Sequence, residues 1–357
     1  MKDKINSILF MFTIFLFMFL GIILKDKDIS FSERRHLASF PKITINNDFS
    51  EKLDNYFLDQ FPFRDSFKKL KGETSKKIML MKENNGIYEQ NGYLFQIDSA
   101  INDKSIDNLI NKINYINDNY LNENQNKYFI MIPDKNYYLD NKNIPKIDYE
   151  YMKNKLKYSL DYLKWIDITS SLTLDSYYKT DIHWKQECLQ NVLNNIQSNL
   201  NLEIKSENYV KNKYYPFYGA LYGDNIVKPD TLNYYSNDVI NNAKVYNYEK
   251  SEYQKVYNED NLKNIDSYDI FLSGATPILF IENQNNKDNK NLIIFRDSFA
   301  SSLVPLLIED YSKITLIDLR YVNSRYLNKI NDLNFDDNSD IIFMYSTLII
   351  NNSFAIK

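Results

Sequence analysis

Two short segments of the sequence carry side chains that could together perform acyl transfer. In the first, Ser298 follows an apolar run at residues 292–295 and precedes an apolar, helix-compatible run. A serine at such a strand-to-helix turn lies above the carboxyl end of a sheet, where open α/β sheets place their sites. The free N–H groups of a helix N-terminus stabilise negative charge, and a nucleophilic serine needs such groups near the oxyanion that forms when it attacks a carbonyl. The alternative is that Ser298 or Asp297 only caps the helix.

The second segment holds Asp181 and His183, which are two positions apart. In a turn or an extended segment this spacing puts both side chains on the same side, so the carboxylate can fix the tautomer of the imidazole and stabilise its protonated form. The alternative is that Asp181 caps the following helix and that His183 is a packed or surface histidine. The only other histidine, His36, lies near the N-terminus. Histidine chemistry in the body of the chain would therefore depend on His183.

Ser298, His183 and Asp181 together supply a nucleophile, a general base and an acid that orients the base. His183 would take the proton of Ser298, and the serine would attack an ester carbonyl. The acyl group would then pass to water or to a sugar hydroxyl. This hypothesis requires that folding bring together side chains that lie far apart in the sequence.

The composition argues against several other kinds of site. The formal net charge is -4, which gives no basic face for a nucleic acid, and 44% of the residues are hydrophobic, which allows a large core. The seven glycines form no phosphate-binding pattern. Two histidines and one cysteine cannot build a His/Cys zinc cluster. We therefore expect no cofactor, no metal and no nucleic-acid partner.

The N-terminus has the length and composition of a membrane-spanning helix. Residues 5–24 are almost wholly apolar, and twenty helical residues span roughly 30 Å, the thickness of a bilayer core. Because no small-x-small cleavage site follows, we predict that residues 1–28 form an uncleaved signal anchor, with the bulk of the chain outside the cytoplasm. A cleaved signal peptide is the alternative. Residues 29–70 are interpreted as a stalk with a helix that leads into the folded body.

The remaining chain, residues 71–357, reads as one α/β domain. Strands are predicted at 86–88, 92–95, 128–132, 165–168, 292–295, 314–317 and 341–345, and those at 128–132 and 292–295 are expected to be buried. Helical spacing of apolar residues occurs at 47–71, 106–121, 151–163, 187–200 and 299–308. Continuously apolar strands that alternate with helices indicate a central parallel sheet covered on both faces. A Tyr/Asn-rich stretch at about 203–265 lacks a clear pattern and is interpreted as an irregular insertion.

The order of several motifs resembles a known family. Residues 178–184, Tyr-Lys-Thr-Asp-Ile-His-Trp, resemble the motif that names the DHHW family, which belongs with the alginate O-acetyltransferase-like SGNH hydrolases. Residues 297–299 resemble the Asp-Ser-Phe/Tyr nucleophile segment of that group, and residues 317–321 resemble its Asp-x-Arg-Tyr segment. Segments 61–65 and 271–274 fit as well. The resemblance implies an SGNH-type three-layer fold and work at the cell surface, where polysaccharide is acetylated or deacetylated.

The same resemblance implies roles for individual residues. Ser298 would be the nucleophile, His183 the base and Asp181 its partner. Four further positions are candidates for contact with the substrate or the oxyanion: Arg320, Gly274, Arg296 and Tyr178. The alternative for the first of these is that its guanidinium only pairs with Asp318 or Asp297.

The sequence departs from the family pattern at three places. Ile182 stands where the naming motif has its first histidine, and Arg296 replaces the glycine that usually precedes Asp-Ser. Ala275 stands where an asparagine donor is expected in this fold. Backbone N–H groups of Ser298 and Gly274 are then the available oxyanion donors, and loss of one donor typically costs on the order of 100-fold or more in rate.

The resemblance also implies partners. A cell-surface polysaccharide or peptidoglycan would be the acceptor, and a membrane acyltransferase would supply acetyl groups if the reaction is a transfer. The competing hypothesis is a catalytically impaired module that binds glycan or scaffolds a cell-envelope complex.

Overall fold

The computed structural model describes residues 2–31, 33–43, 48–77, 83–84, 86–97, 100–141, 144–203, 208–223 and 227–357. Contacts divide the chain into two compact units, one of residues 1–84 with 222–228 and one of residues 85–221 with 229–357. The domain bounds expected from the sequence, with a stalk at 29–70 and a body from residue 71, stay a prediction.

The first unit consists mainly of helices. They are α1 (Lys2–Ile23), α2 (Asp48–Asp59) and α3 (Arg64–Lys77), accompanied by the short strands β1 (Ile29–Ser30), β2 (Arg35–His36) and β3 (Glu83–Asn84). Within α1, residues Lys4–Ile23 have a mean hydropathy of 2.3, so this helix is long and apolar enough to cross a membrane. A signal sequence near the N-terminus has the same properties. The helix is therefore suited to be a membrane anchor or a signal sequence.

The second unit is built on a sheet of eight strands. In chain order they are β6 (Asn126–Ile132), β7 (Lys164–Trp165), β10 (Lys244–Asn247), β11 (Glu252–Gln254), β12 (Ile278–Glu282), β13 (Asn291–Arg296), β14 (Lys313–Ile317) and β15 (Ser339–Ser346). Their spatial order is β11-β10-β12-β14-β13-β15-β6-β7. The five strands from β14 to β7 are parallel, as predicted, whereas β12, β10 and β11 are added antiparallel. The α/β class is confirmed, and the sheet is mixed.

Helices cover both faces of this sheet. They are α4 (Asp103–Tyr120), α5 (Tyr149–Ser159), α6 (Gln190–Asn199), α7 (Asp238–Asn242), α8 (Ala300–Leu303) and α9 (Thr347–Ile350). Alternate side chains of β13 enter two separate cores: Ile294 packs in the core that contains α6, and Ile293 packs in the core that contains α4 and α5. The result is a three-layer α/β arrangement.

The stretch at 203–265, interpreted above as an irregular insertion, contains regular strands. Strands β8 (Val210–Phe217) and β9 (Asp230–Ser236) form an antiparallel hairpin, and β10 and β11 extend the central sheet. Buried residues alternate along β9, with Leu232 and Tyr234 on the buried face. This two-residue period was hidden in the sequence because tyrosine and asparagine occupy both faces.

The hairpin predicted near residues 86–95 is present as β4 (Ile87–Gln90) and β5 (Tyr93–Gln96). The helix predicted at 299–308 is much shorter. Its α-helical part is the four-residue α8, and residues Val304–Asp310 continue as tighter 3₁₀ turns that include Pro305. So short a helix contributes little macrodipole at Ser298.

Candidate active site

Ser298 lies in the turn between β13 and α8, and Asp297 braces that turn. The Asp297 carboxylate accepts the N–H of Phe299 (3.0 Å) at one oxygen and the N–H of Ser346 (2.7 Å), at the end of β15, at the other. Asp297 and Phe299 are buried, whereas Ser298 is partly exposed. Asp297 therefore makes the capping-type bond, and the Ser298 hydroxyl is turned toward another partner.

That partner is His183. The distance from His183 Nε2 to Ser298 Oγ is 2.8 Å, and the distance from His183 Nδ1 to Asp181 Oδ1 is 2.6 Å. The carboxylate favours the tautomer with the proton on Nδ1, which leaves Nε2 free to accept the serine O–H. Folding thus brings the three residues singled out in the sequence into one hydrogen-bonded chain with the geometry of a nucleophile, a base and an orienting acid.

Asp181 is completely buried and remains ionised. Burial raises the pKa of its carboxyl group, but the charge of His183 and hydrogen bonds from the backbone N–H groups of His183 (2.9 Å) and Ala220 (2.6 Å) outweigh burial and hold the pKa well below its usual range. A permanently charged carboxylate at this position stabilises the imidazolium that forms when the base takes a proton.

Hydrogen bonds to Asp230 stabilise the loop that carries Asp181. The Asp230 carboxylate accepts the backbone N–H groups of Lys179 (3.0 Å) and Thr180 (2.7 Å) and the Thr180 hydroxyl (2.6 Å). In turn, the Gly219 N–H donates to Thr180 Oγ1 (3.0 Å). Asp230 was not predicted from the sequence, because no motif marks it.

Lys135 supports the same loop from another side. Its side chain is buried, and Nζ donates to the carbonyl oxygens of Tyr178 (3.1 Å), Lys179 (3.2 Å) and Asp181 (2.7 Å). Burial lowers the pKa of this amine to about 7, against the attraction of Asp181 and Asp230. The protonated amine has three N–H bonds, which match the three carbonyl acceptors. Lys135 is a positioning residue that the sequence analysis missed.

Aromatic rings fix the plane of the imidazole. The Tyr268 ring stacks on His183 at a centroid distance of 3.9 Å and an angle of 9°, and Phe299 packs against the same imidazole at 4.8 Å. Trp184 Nε1 donates to the Phe299 carbonyl oxygen (3.0 Å) and to Ser302 Oγ (2.9 Å), which ties the histidine segment to the start of α8. Tyr268 was not identified from the sequence, because its position in a 3₁₀ turn follows no recognisable pattern.

Of the four additional candidates, Arg320 and Gly274 are engaged in local structure. Arg320 forms a two-point ion pair with Asp318 (Nε 2.9 Å, Nη2 2.6 Å), which raises the pKa of the guanidinium although burial opposes it. The Gly274 N–H donates to the carbonyl oxygen of Phe271 (3.1 Å) in a turn where Gly274 has a φ of 77°. Roles for both residues in substrate or oxyanion binding stay predictions.

Arg296 and Tyr178 are both fully buried. Arg296 donates to Ser301 Oγ (2.9 Å) and Thr276 Oγ1 (3.2 Å), and burial lowers the pKa of its guanidinium. The Tyr178 ring packs edge-on against Phe217, and its hydroxyl has no hydrogen-bond partner among the described residues. Across the parts of the chain that the structure describes, no three His, Cys, Asp or Glu side chains are grouped to hold a metal ion.

Substitution of Gly219 by alanine is expected to disturb the acid–base pair. A Cβ at this position would lie 2.4 Å from the carbonyl carbon and oxygen of Thr180 and from Asp181 Cβ, so the backbone must shift. Misplacement of a catalytic group by about 1 Å can cost on the order of 100-fold in rate, and overpacking typically costs about 1–3 kcal/mol of stability. Hydrolysis of an activated acetyl ester and thermal unfolding measure the two effects.

The matched control for that substitution is Ala220→Gly, which removes an exposed methyl group and keeps the N–H that reaches Asp181. It should leave the rate within a few-fold of the unsubstituted protein. A Gly219→Ala protein with full activity would contradict the close approach of the two loops.

Solved structures of other proteins share this fold. A DHHW family protein from Eubacterium siraeum matches with a TM-score of 0.62 and 19% identity, covering 76% of this chain and 94% of its own. Two structures of Bacillus cereus PatB1, one of them with a sulfonyl adduct, match with TM-scores of 0.56 and identities of 19% and 20%, covering 74% and 75% of this chain and 97% of their own. No family model and no curated protein matches the sequence.

These matches extend over most of both chains, and at this level of identity they establish a shared fold. The three-layer α/β fold that the motif resemblance implied is therefore confirmed, because this chain shares its fold with the DHHW family protein and PatB1.

Proposed function

We propose that this protein is a membrane-anchored, extracytoplasmic O-acetyltransferase or acetylesterase that acts on cell-envelope polysaccharide through Ser298, His183 and Asp181. The observation that carries the proposal is the continuous hydrogen-bonded chain from the Asp181 carboxylate through the imidazole to a partly exposed serine hydroxyl. Each member is held by contacts of its own, so the arrangement is organised before a substrate binds.

The reaction would proceed in two halves. His183 Nε2 takes the proton of Ser298 as the serine oxygen attacks the ester carbonyl, and the resulting imidazolium returns that proton to the departing alkoxide. In the second half, water or a sugar hydroxyl gives its proton to His183 and attacks the acyl-serine. The bond between the acyl carbon and Ser298 Oγ then breaks, and the imidazolium returns the proton to Ser298 Oγ. Asp181 stays ionised throughout and stabilises the imidazolium. The Ser298 N–H is the candidate donor to the oxyanion.

The structural neighbours support a reactive nucleophile on this fold. One PatB1 structure contains a sulfonyl adduct, and sulfonylating reagents react with nucleophilic atoms. We infer that the nucleophile here is Ser298, because it is the hydroxyl within reach of the imidazole. The acceptor would be a cell-surface polysaccharide or peptidoglycan. For a transfer reaction, a membrane acyltransferase would deliver acetyl groups to this site.

Anchoring through α1, with the body of the chain outside the cytoplasm, would hold the site in the compartment where such glycans lie. The helix has the length and the hydropathy for one membrane crossing, and the chain would act from the cell membrane with its body outside the cytoplasm. The hydroxyls of a glycan are neutral and need no basic protein face, which is compatible with the net charge of -4.

The test of this proposal is to trap the acyl intermediate. The protein is incubated with p-nitrophenyl acetate, quenched in acid and digested, and the peptide that contains Ser298 is examined by mass spectrometry. We expect one acetyl group on Ser298, lost on longer incubation, and none in the Ser298→Ala protein. Absence of the adduct, together with absence of p-nitrophenol release, would favour the competing hypothesis of a glycan-binding module without catalytic activity.

A further inference from the structure

The connection between α2 and α3 exposes an unusual number of large apolar side chains. We define the α2–α3 corner as residues 57–70. Its exposed members are Phe57 (58%), Leu58 (68%), Phe61 (45%), Phe63 (56%), Phe67 (45%) and Leu70 (59%). Two of them, Phe67 and Leu70, are three positions apart on α3 and therefore share one helix face, and Phe63 lies in the turn just before this helix. An apolar cluster of this kind on a protein surface marks an interaction site.

The corner packs directly on the helix that is suited to cross a membrane. The Phe61 ring stacks with Phe17 of α1 at 5.3 Å, and Phe67 lies 5.9 Å from the same ring. Pro62 Cγ lies 3.9 Å from the position that a Cβ on Gly21 would occupy. Phe17 is six residues from the end of α1, which corresponds to about 9 Å along the helix axis. When α1 spans a bilayer, this level is within the depth of about 5–10 Å to which interfacial segments bury their apolar faces.

Charged side chains within the corner are paired with charged side chains of the segment that follows α1. Arg35 contacts both oxygens of Asp59, at 2.8 and 2.5 Å. Glu33 pairs with Arg64 at 2.7 Å and also with Lys68. Pairing reduces the cost of moving these charges from water into the interfacial region of a bilayer. The same ion pairs connect the segment after α1 to α2 and α3, and these connections stabilise the arrangement of the corner.

Exposed lysines complete the pattern expected of an interfacial element. Lys25, just after α1, and Lys69, within the corner, are exposed, and lysines near a membrane surface are attracted to anionic headgroups. Aromatic side chains with flanking basic residues are typical of segments that lie in the plane of the interface.

We propose that the α2–α3 corner is a second membrane attachment, which inserts its exposed aromatic and leucine side chains at the headgroup–acyl boundary of the bilayer that α1 crosses. The occupant of this apolar surface is phospholipid. The inference rests on the proposed anchoring of α1, and it adds that the segment after the anchor lies on the membrane and is not a stalk that leads away from it.

The test uses the full-length chain, reconstituted in vesicles of phosphatidylcholine and phosphatidylglycerol, with single spin labels. In a Cys188→Ser background, labels are attached at Leu58→Cys in the corner, at Phe12→Cys in α1 and at Lys52→Cys. Lys52 is the matched control, because it is exposed on α2 about 120° around the helix from Leu58. The accessibility of each label to oxygen, which concentrates in lipid, and to a water-soluble nickel chelate is measured.

We expect the ratio of oxygen to nickel accessibility at positions 58 and 12 to exceed the ratio at position 52 several-fold. A lipid-like ratio at position 12 with a water-like ratio at position 58 would overturn the corner proposal and leave the anchor intact. Water-like ratios at both positions would overturn the anchor and the corner together. A label at position 58 that is shielded from both reagents would indicate a protein partner in place of lipid, which also overturns the proposal. Acetylation of Ser298 is independent of all these outcomes.

Discussion

Substitution of Ser298 by alanine is expected to reduce hydrolysis of an activated acetyl ester by on the order of 10⁴-fold or more. The variant lacks the hydroxyl that lies 2.8 Å from His183 Nε2, so no acyl-serine can form. Substitution of His183 by alanine should cost about as much, because the serine then has no base. The rates are measured from the release of p-nitrophenol with a soluble protein that lacks residues 1–28.

The double variant provides a sharper test than either substitution alone. Residues that act as one unit show non-additive losses, so the double variant should be about as impaired as each single variant. Ser198→Ala is the matched control, since Ser198 is an exposed helical serine that donates to the Asn194 carbonyl oxygen. Additive losses, or equal rates in all the proteins, would contradict a shared proton path between the imidazole and the serine.

The sequence predicted the parts of the fold that rely on local patterns. Continuously apolar runs in β6, β13, β14 and β15 indicated buried parallel strands, and all four are present. The antiparallel strands β10, β11 and β12 were not recognised as parts of the sheet. Strands β10 and β11 are short and carry tyrosine and polar residues, whereas β12 has four consecutive buried apolar residues at 278–281. The place of all three strands in the sheet depends on neighbours that are distant in sequence.

The candidate site, like the fold, has residues that could be predicted from local sequence and residues that could not. The Asp-x-His spacing and the serine after a buried strand are local, and both were visible in the sequence. The groups that position them are not local: Asp230 reaches Thr180 across 50 positions, and Lys135 reaches the Asp181 carbonyl across 46. A buried lysine or aspartate is stable only when folding supplies its partners. Such residues cannot be told from surface charges before the fold is known.

The Asp181→Asn substitution removes the charge of this side chain and nearly preserves its shape, so it separates the effect of the charge from the effect of the shape. In the native site Asp181 Oδ1 faces His183 Nδ1 (2.6 Å) and the His183 N–H, and Oδ2 faces the Ala220 N–H (2.6 Å). An asparagine must direct its NH₂ group toward one of these sets of donors. With NH₂ toward the imidazole, Nδ1 becomes an acceptor, Nε2 carries the proton, and it can no longer take the proton of Ser298. We expect the esterase rate to fall on the order of 10⁴-fold.

The same variant tests the electrostatic role through the pH dependence of stability. The pKa of Asp181 lies well below its usual value in the folded protein, so the unfolded chain binds this proton more readily than the native state does. The carboxylate therefore stabilises the fold above the unfolded pKa of about 4, and this stabilisation is lost as the pH falls through the lower folded pKa.

Denaturant unfolding should show Asp181→Asn to be less stable than the native protein at pH 7, with a difference that shrinks below about pH 4. Asp161→Asn, at an exposed position, should show no such trend. A difference in stability between Asp181→Asn and the native protein that does not change with pH would mean that the contribution of Asp181 is one of shape, and the carboxylate could not then be the charge that stabilises the imidazolium.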